Sequence, residues 1–389
     1  MLDGTRVLDL ADSSGAHCGR ILADLGADVV KVEPPRGDDA RRQPPFLADR
    51  VADDTSVWWQ TLNANKRGIV VDLDRERELF LRLAAAADVV VETYPPDRRP
   101  FAPSDLGERT ILVSITPYGQ DGPLAGAPAS DLEVTAASGC LWLAGEPGRP
   151  PVRTSLPQSG FWTGMYAAAG ALTALLARDL TGRGQHVDVS AQHSMLTVHP
   201  PAPLFYDILG EDHARPGPFL QGRSMVGSRF RNVWPCRDGY VAFAIQGGPV
   251  GRQTGRALVG WIAERALDAP RLRAIDWEQF DNRTLTQAEV EALEAEIGGF
   301  LATVSKREFY DGVFARNMLG YPLSTAPDLL EEDQLAARGF WQSVELDDAG
   351  TYRIPGGFAL FDGERPRLVR DAPRLGEHQR EVLAEWLRA

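Results

Sequence analysis

The chain has 389 residues, a formal net charge of −13 and an apolar fraction of 43%. These values are typical of a globular protein with two domains, or with one large domain and an insertion. Because binding to phosphate backbones requires a basic face, so acidic a chain is not expected to bind nucleic acid. The three cysteines lack paired spacing, so neither a disulfide framework nor a cysteine metal site is expected.

The first 190 residues alternate strand-like and helix-like segments. Strands are predicted at 6–10, 28–32, 69–73, 89–91, 111–115 and 185–189, and helices near 17–25, 75–86 and 161–180. Gly26 is expected to end the first helix. Strands that are separated by helices favour a parallel sheet with crossover helices, and therefore an α/β fold.

The rest of the chain begins with a proline-rich segment at 200–227, which is predicted to connect to a second domain. A strand is predicted at 240–245, followed by helices at 287–304, 306–315 and 328–338. Two further strands at 344–346 and 352–354 precede a terminal helix at 377–387.

One segment, 154–177, contains no charged residue across 24 positions. A membrane-spanning helix needs about 20 strongly apolar residues, whereas this segment is rich in alanine and contains Pro157, Gly160 and Gly164. It is therefore predicted to form a buried, close-packed helix. The first residues also lack the pattern of a signal peptide. The protein is expected to be soluble and cytoplasmic, with no membrane partner.

Motifs for common cofactors and nucleophiles are missing from the sequence. The loop after the first predicted strand has only Gly15 and Gly19, not the G-x-G-x-x-G of dinucleotide-binding folds. Residues 247–252 lack the Lys-Ser/Thr end of a P-loop, and no G-x-S-x-G elbow occurs. The histidines lack a third ligand at helical spacing, so no metal site is predicted.

Eight ordered segments together carry a more specific signal. They are GTRVLDL at 4–10, ILADLGADVVKVEPP at 21–35, NKR at 65–67, ADVVVE at 87–92, YGQDGP at 118–123, TGRGQHVDVS at 181–190, DQLAARGF at 333–340 and PRLGEH at 373–378. This set, which covers nearly the whole chain, resembles the family III CoA-transferases (the CaiB/BaiF group). That family contains formyl-CoA transferase, carnitine CoA-transferase and α-methylacyl-CoA racemase.

The resemblance implies a Rossmann-like large domain made from both chain ends, with a smaller inserted α+β domain. Residues 1–200 would form the first part of the large domain, 201–224 a linker, 225–330 the small domain, and 331–389 the return to the large domain. The resemblance also implies a dimer whose subunits are threaded through each other as interlocked rings. Active sites in this family lie between domains and use residues from the dimer.

The resemblance further implies that coenzyme A or an acyl-CoA is the substrate or ligand, with no covalently bound cofactor. The family's CoA contacts fall on Ser13, Ser14, Gly15, Val71, Asp72, Leu73, Thr93, Tyr94 and Pro95. Guanidinium groups bind phosphates through paired hydrogen bonds. The candidates for that role are Arg36 and Arg98, with Arg41, Arg42 and Arg99 as further basic residues nearby.

Two departures from the family bear on the chemistry. Its transferases use an aspartate to attack the acyl-CoA thioester, because a carboxylate forms a mixed anhydride that CoA thiolate can reopen. Alignment on Gly164 and Tyr166 puts Gly160 at that position, and Ser130 stands where the racemase branch has a histidine. No catalytic residue is therefore assigned. The segment between positions 96 and 111, which normally supplies an arginine to CoA, is also shorter than usual.

Three functions fit these departures. The preferred interpretation is the non-catalytic subunit of a heteromeric CoA-transferase that moves CoA between carboxylic acids, as in benzylsuccinate CoA-transferase. The chain would then form a heterodimer with an aspartate-bearing homologue. The second is an enzyme that, as a homodimer, acts on an acyl-CoA through a different mechanism or nucleophile. The third is a binding or scaffold protein without CoA chemistry.

In the small domain, Gly247 and Gly248 fit either a mobile glycine loop or a simple turn.

Overall fold

The structure is a computed structural model that describes residues 1–199, 201–212, 215–220, 228–346 and 350–387. Within these ranges the chain divides into two compact units. The first comprises 1–142, 153–212 and 333–389, and the second comprises 143–152 and 213–332. The domain limits given above remain predictions, and the predicted start of the small domain at position 225 lies outside the described residues.

The strands are, in chain order, β1 (Arg6–Asp9), β2 (Asp28–Glu33), β3 (Arg67–Val70), β4 (Val89–Glu92), β5 (Ile111–Thr116), β6 (His186–Ser190), β7 (Phe219–Leu220), β8 (Phe230–Arg231), β9 (Val233–Cys236), β10 (Gly239–Ala242), β11 (Tyr321–Pro322), β12 (Trp341–Leu346) and β13 (Gly350–Pro355).

The α-helices are α1 (Ala16–Asp24), α2 (Val57–Asn63), α3 (Arg77–Ala85), α4 (Asp131–Ala137), α5 (Cys140–Leu143), α6 (Ser159–Thr181), α7 (Ala191–Leu196), α8 (Pro201–Leu209), α9 (Gly248–Glu264), α10 (Pro270–Ala274), α11 (Gln287–Leu301), α12 (Lys306–Ala315), α13 (Ala326–Leu330), α14 (Asp333–Ala337) and α15 (Gln379–Trp386).

A six-stranded sheet forms the core of the first unit. Its order is β3-β2-β1-β4-β5-β6, and every neighbouring pair is parallel. Successive side chains of a strand point to opposite faces. Val7 accordingly packs with α1 and α6, and Leu8 packs with α3 and α15. Because helices cover both faces, the strands are runs of apolar residues. The prediction of an α/β fold with a parallel core is confirmed.

Helix α6 packs closely against α1. A Cβ on Gly164 would lie only 2.7 Å from the Cβ of His17, so the two backbones could not approach as they do with a larger residue there. Ala167, Ala168 and Ala171 continue the buried face. The opposite face is exposed, with Leu176 at 65% and Leu180 at 83% of full exposure. The prediction of a close-packed helix is therefore right for one face only.

By length and composition α6 could also cross a membrane, a property that it shares with core helices of soluble proteins.

Two buried lysines fix the loop between β1 and α1. Lys66 pairs with the Asp9 carboxylate at 2.7 Å, both side chains being fully buried, and it also donates to the Ala16 carbonyl at 2.9 Å. Lys31 donates to the Ala11 carbonyl and pairs with Asp38 at 2.9 Å. Each ammonium group thus joins a carboxylate to a backbone carbonyl, one at Ala11 and the other at Ala16. These contacts fix both ends of the loop.

Three predicted elements differ from the structure. The strand predicted at 69–73 ends at Val70, because the Asp72 carboxylate accepts hydrogen bonds from the Asp74 and Arg75 N–H groups and turns the chain. The helix predicted at 328–338 is two helices, α13 and α14, since the acids at 331–333 disfavour the carbonyl end of one helix and favour the start of the next. Gly247 is the N-cap residue of α9 and Gly248 is its first residue, so the two glycines lead directly into a helix that was not predicted.

The second unit has a core built around tryptophans. Its antiparallel sheet β11-β10-β9 contributes to a buried cluster that includes Trp234, Trp261 and Trp277. A Cβ on Gly255 of α9 would lie 2.1 Å from the Trp277 ring, and a Cβ on Gly312 of α12 would lie 2.1 Å from the Trp261 ring. The rings therefore occupy the space that side chains at these helical positions would fill.

We expect Gly255→Ala to lower the free energy of unfolding by about 1–3 kcal/mol, the usual effect of overpacking a core. Gly260→Ala is the matched control in the same helix, because nothing lies within 4 Å of a Cβ there. That control should raise the free energy of unfolding by roughly 0.5–1 kcal/mol through helix propensity. Urea unfolding measures both values, and equal shifts for the two variants would contradict the packing described here.

We expect Lys66→Met to cost about 3–5 kcal/mol, because it leaves the Asp9 carboxylate buried without a counter-ion. Arg75→Met is the control, since Arg75 is 86% exposed and lies 3.7 Å from Asp72. It should change stability far less, as exposed ion pairs do. The double variant Lys66→Met with Asp9→Asn should recover part of the loss in urea unfolding. Additive losses would show that the two groups do not interact.

Candidate active site

The strand order reverses between β1 and β4, and in open parallel sheets ligands bind outside the carboxyl ends of the strands at that point. The loop that follows β1 contains Ser13, Ser14 and Gly15, and the segment 93–95 follows β4. The two loops touch, because the Asp12 N–H donates to Thr93 Oγ1 at 3.0 Å. The structure thus brings together two of the three segments that were predicted to contact CoA.

Both loops depend on local features of the sequence. The Asp12 carboxylate accepts hydrogen bonds from the Ser14 N–H at 2.9 Å and the Ser14 hydroxyl at 2.5 Å, which closes a tight turn. A Cβ on Gly15 would lie 2.6 Å from Thr93 Cγ2. Glycine at position 15 is therefore what allows the two loops to meet.

The third predicted segment, 71–73, follows β3. The Val71 N–H donates to the Glu33 carbonyl and the Asp72 N–H donates to Glu76 Oε2, each at 2.9 Å. Leu73 and Tyr94 pack against one buried cluster, and burial raises the pKa of the Tyr94 phenol. The Val71 and Asp72 N–H groups thus already have acceptors. A base at this segment would have to hydrogen-bond with the backbone carbonyl groups or with the Leu73 N–H.

The structure separates the five candidate arginines into two groups. Arg41 is 1% exposed and is held by Glu33 and the Pro373 carbonyl. The Arg99 side chain is 6% exposed and pairs with Glu92 at 3.0 Å. Both guanidinium groups are taken up by internal ion pairs, so neither is placed to meet a phosphate. Arg36 and Arg98 are exposed at 72% and 74%, with Arg42 at 45%, and their guanidinium groups can reach a ligand.

A cavity of about 570 Å³ lies in the first unit, beside the loop that follows β1. Its apolar walls include Pro44, Trp58, Leu132, Pro157 and Phe161, and its polar lining includes Ser13, Ser14, Gln43 and Thr116. Asp131 is the one acidic side chain in the lining and Arg153 the one basic side chain, among the residues that the structure describes. A mostly apolar cavity with a few polar groups is the usual form of a small-molecule site.

Gly160 lies in the first turn of α6 and lines this cavity. A Cβ at that position would lie 3.2 Å from the Ser14 carbonyl oxygen and 3.4 Å from that of Ser13. The site therefore has no side chain at position 160, and the loop after β1 rests against the bare backbone.

The carboxylate of Asp131, the first residue of α4, binds the N-terminal end of α6. Its Oδ1 accepts hydrogen bonds from the Gln158 N–H at 2.7 Å, the Ser159 N–H at 2.8 Å and the Ser159 hydroxyl at 2.9 Å. Asp131 was not predicted as a site residue, although it stands directly after Ser130. Ser130 caps α4 by accepting a hydrogen bond from the Leu132 N–H at 3.3 Å. A carboxylate at a helix start is stabilised by the free N–H groups there.

Other reactive side chains near α6 do not provide a nucleophile. Burial raises the pKa of the Cys18 thiol, which is fully buried and stays protonated. Burial, with Arg20 and Lys66 nearby, lowers the pKa of His17 to about 4, so its imidazole is neutral at pH 7. Across the described part of the chain, no group of three histidine, cysteine or acidic side chains is placed to hold a metal ion.

Comparison with known proteins agrees with this arrangement. The family model described as "CoA-transferase family III" matches residues 2–379. The chain is 36% identical over 391 residues to the succinyl-CoA:(R)-benzylsuccinate CoA-transferase subunit BbsE of Thauera aromatica, covering 98% of this chain and 93% of that one. It is 37% identical over 398 residues to the acetyl-CoA:oxalate CoA-transferase of Acetobacter aceti, covering 99% and 95%.

A solved structure, that of a CAIB/BAIF family protein from Brucella suis, superposes with a TM-score of 0.81 at 27% identity and covers 99% of both chains. The family model and the relatives extend over nearly the whole sequence, and the solved structure shares the fold over nearly the whole chain. The chain therefore belongs to CoA-transferase family III.

Proposed function

We propose that this chain is the acyl-CoA-binding, non-nucleophilic subunit of a heteromeric CoA-transferase, which moves CoA from one carboxylic acid to another. The observation that carries the proposal is the cavity at the carboxyl ends of the strands, in which glycine stands at the proposed position of the family aspartate. The family acts on CoA thioesters as substrates. A subunit with such a cavity can bind the thioester but needs a carboxylate from elsewhere to open it.

The chemistry explains why a glycine matters. In the proposed reaction, a carboxylate oxygen attacks the thioester carbonyl carbon and CoA leaves as its thiolate, so that a mixed anhydride forms. The thiolate then attacks the enzyme's own carbonyl carbon, which releases the first acid and leaves an enzyme–CoA thioester. The second acid reverses these steps. Gly160 has no atom that can take part, and we assign the attacking aspartate to a homologous partner subunit.

The CoA itself is proposed to lie across the strand ends. Residues 13–15 and 93–95 would line its path, and residues 71–73 would lie against the adenine. The exposed guanidinium groups of Arg36 and Arg98 would meet the phosphates. Paired hydrogen bonds from guanidinium groups suit phosphates, and the local positive charge would offset the acidity of the chain.

The exposed face of α6 supports assembly with a second chain. A helix that is apolar all round is normally buried, yet Met165, Tyr166, Leu176 and Leu180 are between 40% and 83% exposed. We propose that this face is covered in the interlocked dimer typical of the family, with an aspartate-bearing homologue as the partner. The relative from Thauera aromatica carries the word "subunit" in its name. We place the assembly in the cytoplasm.

A second candidate function rests on Asp131. Its Oδ1 holds three hydrogen bonds, whereas its Oδ2 takes none from the described part of the chain. Oδ2 could attack the thioester in place of the missing aspartate, which would make the chain an enzyme by itself. This candidate ranks below the first because three donors stabilise the carboxylate and make it less nucleophilic.

We expect CoA transfer between two carboxylic acids only when this chain is co-purified with an aspartate-bearing homologue. Chromatographic separation of the CoA thioesters measures the transfer, with each chain alone as the control. Leu176→Arg on α6 should prevent co-purification, since it puts a charge on the proposed contact face. Val51→Arg, at a site that is 78% exposed, should not prevent it.

Transfer by the pure chain would overturn the heteromeric proposal. Asp131→Asn would then decide whether Asp131 is the nucleophile, because the amide keeps the shape of the side chain but cannot form the anhydride. If calorimetry detects no binding of CoA or of acyl-CoA to the assembled protein, the chain has no CoA function and is a scaffold.

We expect Gly160→Asp to form a covalent CoA thioester on residue 160 when it is incubated with an acyl-CoA that the assembly uses, as detected by intact-protein mass spectrometry. Gly160→Ala is the matched control. Both variants place a Cβ 3.2 Å from the Ser14 carbonyl, so both should lose stability, by about 1 kcal/mol, but only the aspartate can form the adduct. A folded Gly160→Asp variant without any adduct would show that position 160 is not the family aspartate position.

A further inference from the structure

Two aromatic rings form a fixed corner in the wall of the cavity. Trp58, from α2, and Phe161, from the first turn of α6, have ring centroids 6.2 Å apart and planes inclined by 35°. Both rings are partly exposed, and both line the cavity. They therefore pack against each other while each keeps some ring surface open to a ligand.

Each ring is held in place by one neighbour, a backbone carbonyl for Trp58 and a histidine ring for Phe161. The Trp58 indole N–H donates to the Pro44 carbonyl at 3.1 Å. Phe161 meets the His17 ring edge-on at 5.3 Å and 72°. Because His17 is neutral at pH 7, it brings no cation to the Phe161 face. A ligand that packs on this corner thus loses little affinity to the ordering of these side chains.

The chemistry of the corner favours one class of acyl group. Aromatic rings pack on one another in offset or edge-on arrangements with centroids 4.5–7 Å apart, and each such pair adds a gain beyond burial of apolar area. The remaining apolar part of the wall is formed by proline and aliphatic side chains, which accept any apolar group. Among the apolar side chains of the lining, only Trp58 and Phe161 distinguish a flat aromatic ring from a saturated ring of the same size.

We infer that the cavity binds acyl groups that carry an aromatic ring, with the ring packed on Trp58 and Phe161. This inference rests on the proposed function for the identity of the CoA ester, and it adds the class of acid that the ester contains. It is independent of which chain supplies the nucleophile, because it concerns binding alone.

Calorimetry with phenylacetyl-CoA and cyclohexylacetyl-CoA tests the inference on the full chain. The two esters have the same carbon skeleton and differ in ring aromaticity. We expect phenylacetyl-CoA to bind roughly two- to tenfold more tightly. Trp58→Leu and Phe161→Leu should each reduce this ratio, while the affinity for CoA itself should stay unchanged. Trp142→Leu is the control, since Trp142 is 46% exposed and does not line the cavity.

Equal affinities for the two esters, or a ratio that survives in both cavity variants, would overturn the inference while leaving the proposed function intact. If neither ester nor CoA binds, the proposed function fails. The same comparison with the free acids phenylacetate and cyclohexylacetate then still tests the ring preference. Thermal melting of each variant confirms that the chain remains folded, and either of the two cavity variants suffices if the other does not fold.

Discussion

The ion pair between Asp9 and Lys66 is the interaction on which the candidate site depends most. Both side chains are fully buried, and a buried charge is costly unless its partners satisfy it completely. Here the carboxylate also accepts a hydrogen bond from the Ala11 N–H at 2.9 Å, and the ammonium group is completed by Ala16 and Asn63. The pair thereby ties the end of β1 to the start of α1. The loop between these two points, which contains the serines that line the cavity, is therefore fixed at both ends.

The same pair sets a packing rule for α1. A Cβ on Gly19 would lie 2.2 Å from Asp9 Oδ2, so the helix can cross the carboxylate only with a glycine there. Gly164 plays the corresponding part on α6, where it faces His17. The helices at the site are thus placed by the absence of side chains at two positions. This close placement brings the first turn of α6 to the loop after β1.

The start of α6 has an electrostatic role that differs from that of an open anion site. A helix start offers unpaired N–H groups and a partial positive charge to an anion. In this chain Asp131 already binds the N–H groups of Gln158 and Ser159. An incoming carboxylate does not find those donors free, and the apolar corner beside them becomes the more selective feature of the cavity.

The sequence pattern predicted the parallel sheet because apolar strands that alternate with helices rarely form any other fold. The closeness of segments 13–15 and 93–95 then follows from the strand order, since both come after neighbouring strands. Other features have no local signal. Nothing in the residues around Lys66 shows that its partner is Asp9, and Trp58 lies in a helix, α2, that was not predicted. Arg41 and Arg99 looked like surface cations because burial depends on Glu33 and Glu92, each on a different strand. Asp131 directly follows Ser130 in the sequence, but its role becomes visible only when the fold puts it against residues 158 and 159.

The burial of the lysines has a chemical consequence for a protein that handles thioesters. Primary amines react with activated acyl groups, whereas the guanidinium groups of arginine stay protonated and do not. The chain has three lysines, of which Lys31 and Lys66 are at most 1% exposed and Lys306, at 16%, is paired with Asp328. The remaining basic side chains are all arginine. Its surface therefore offers almost no side-chain amine to be acylated by its own ligand, and amine-directed labels and cross-linkers will find few sites on it.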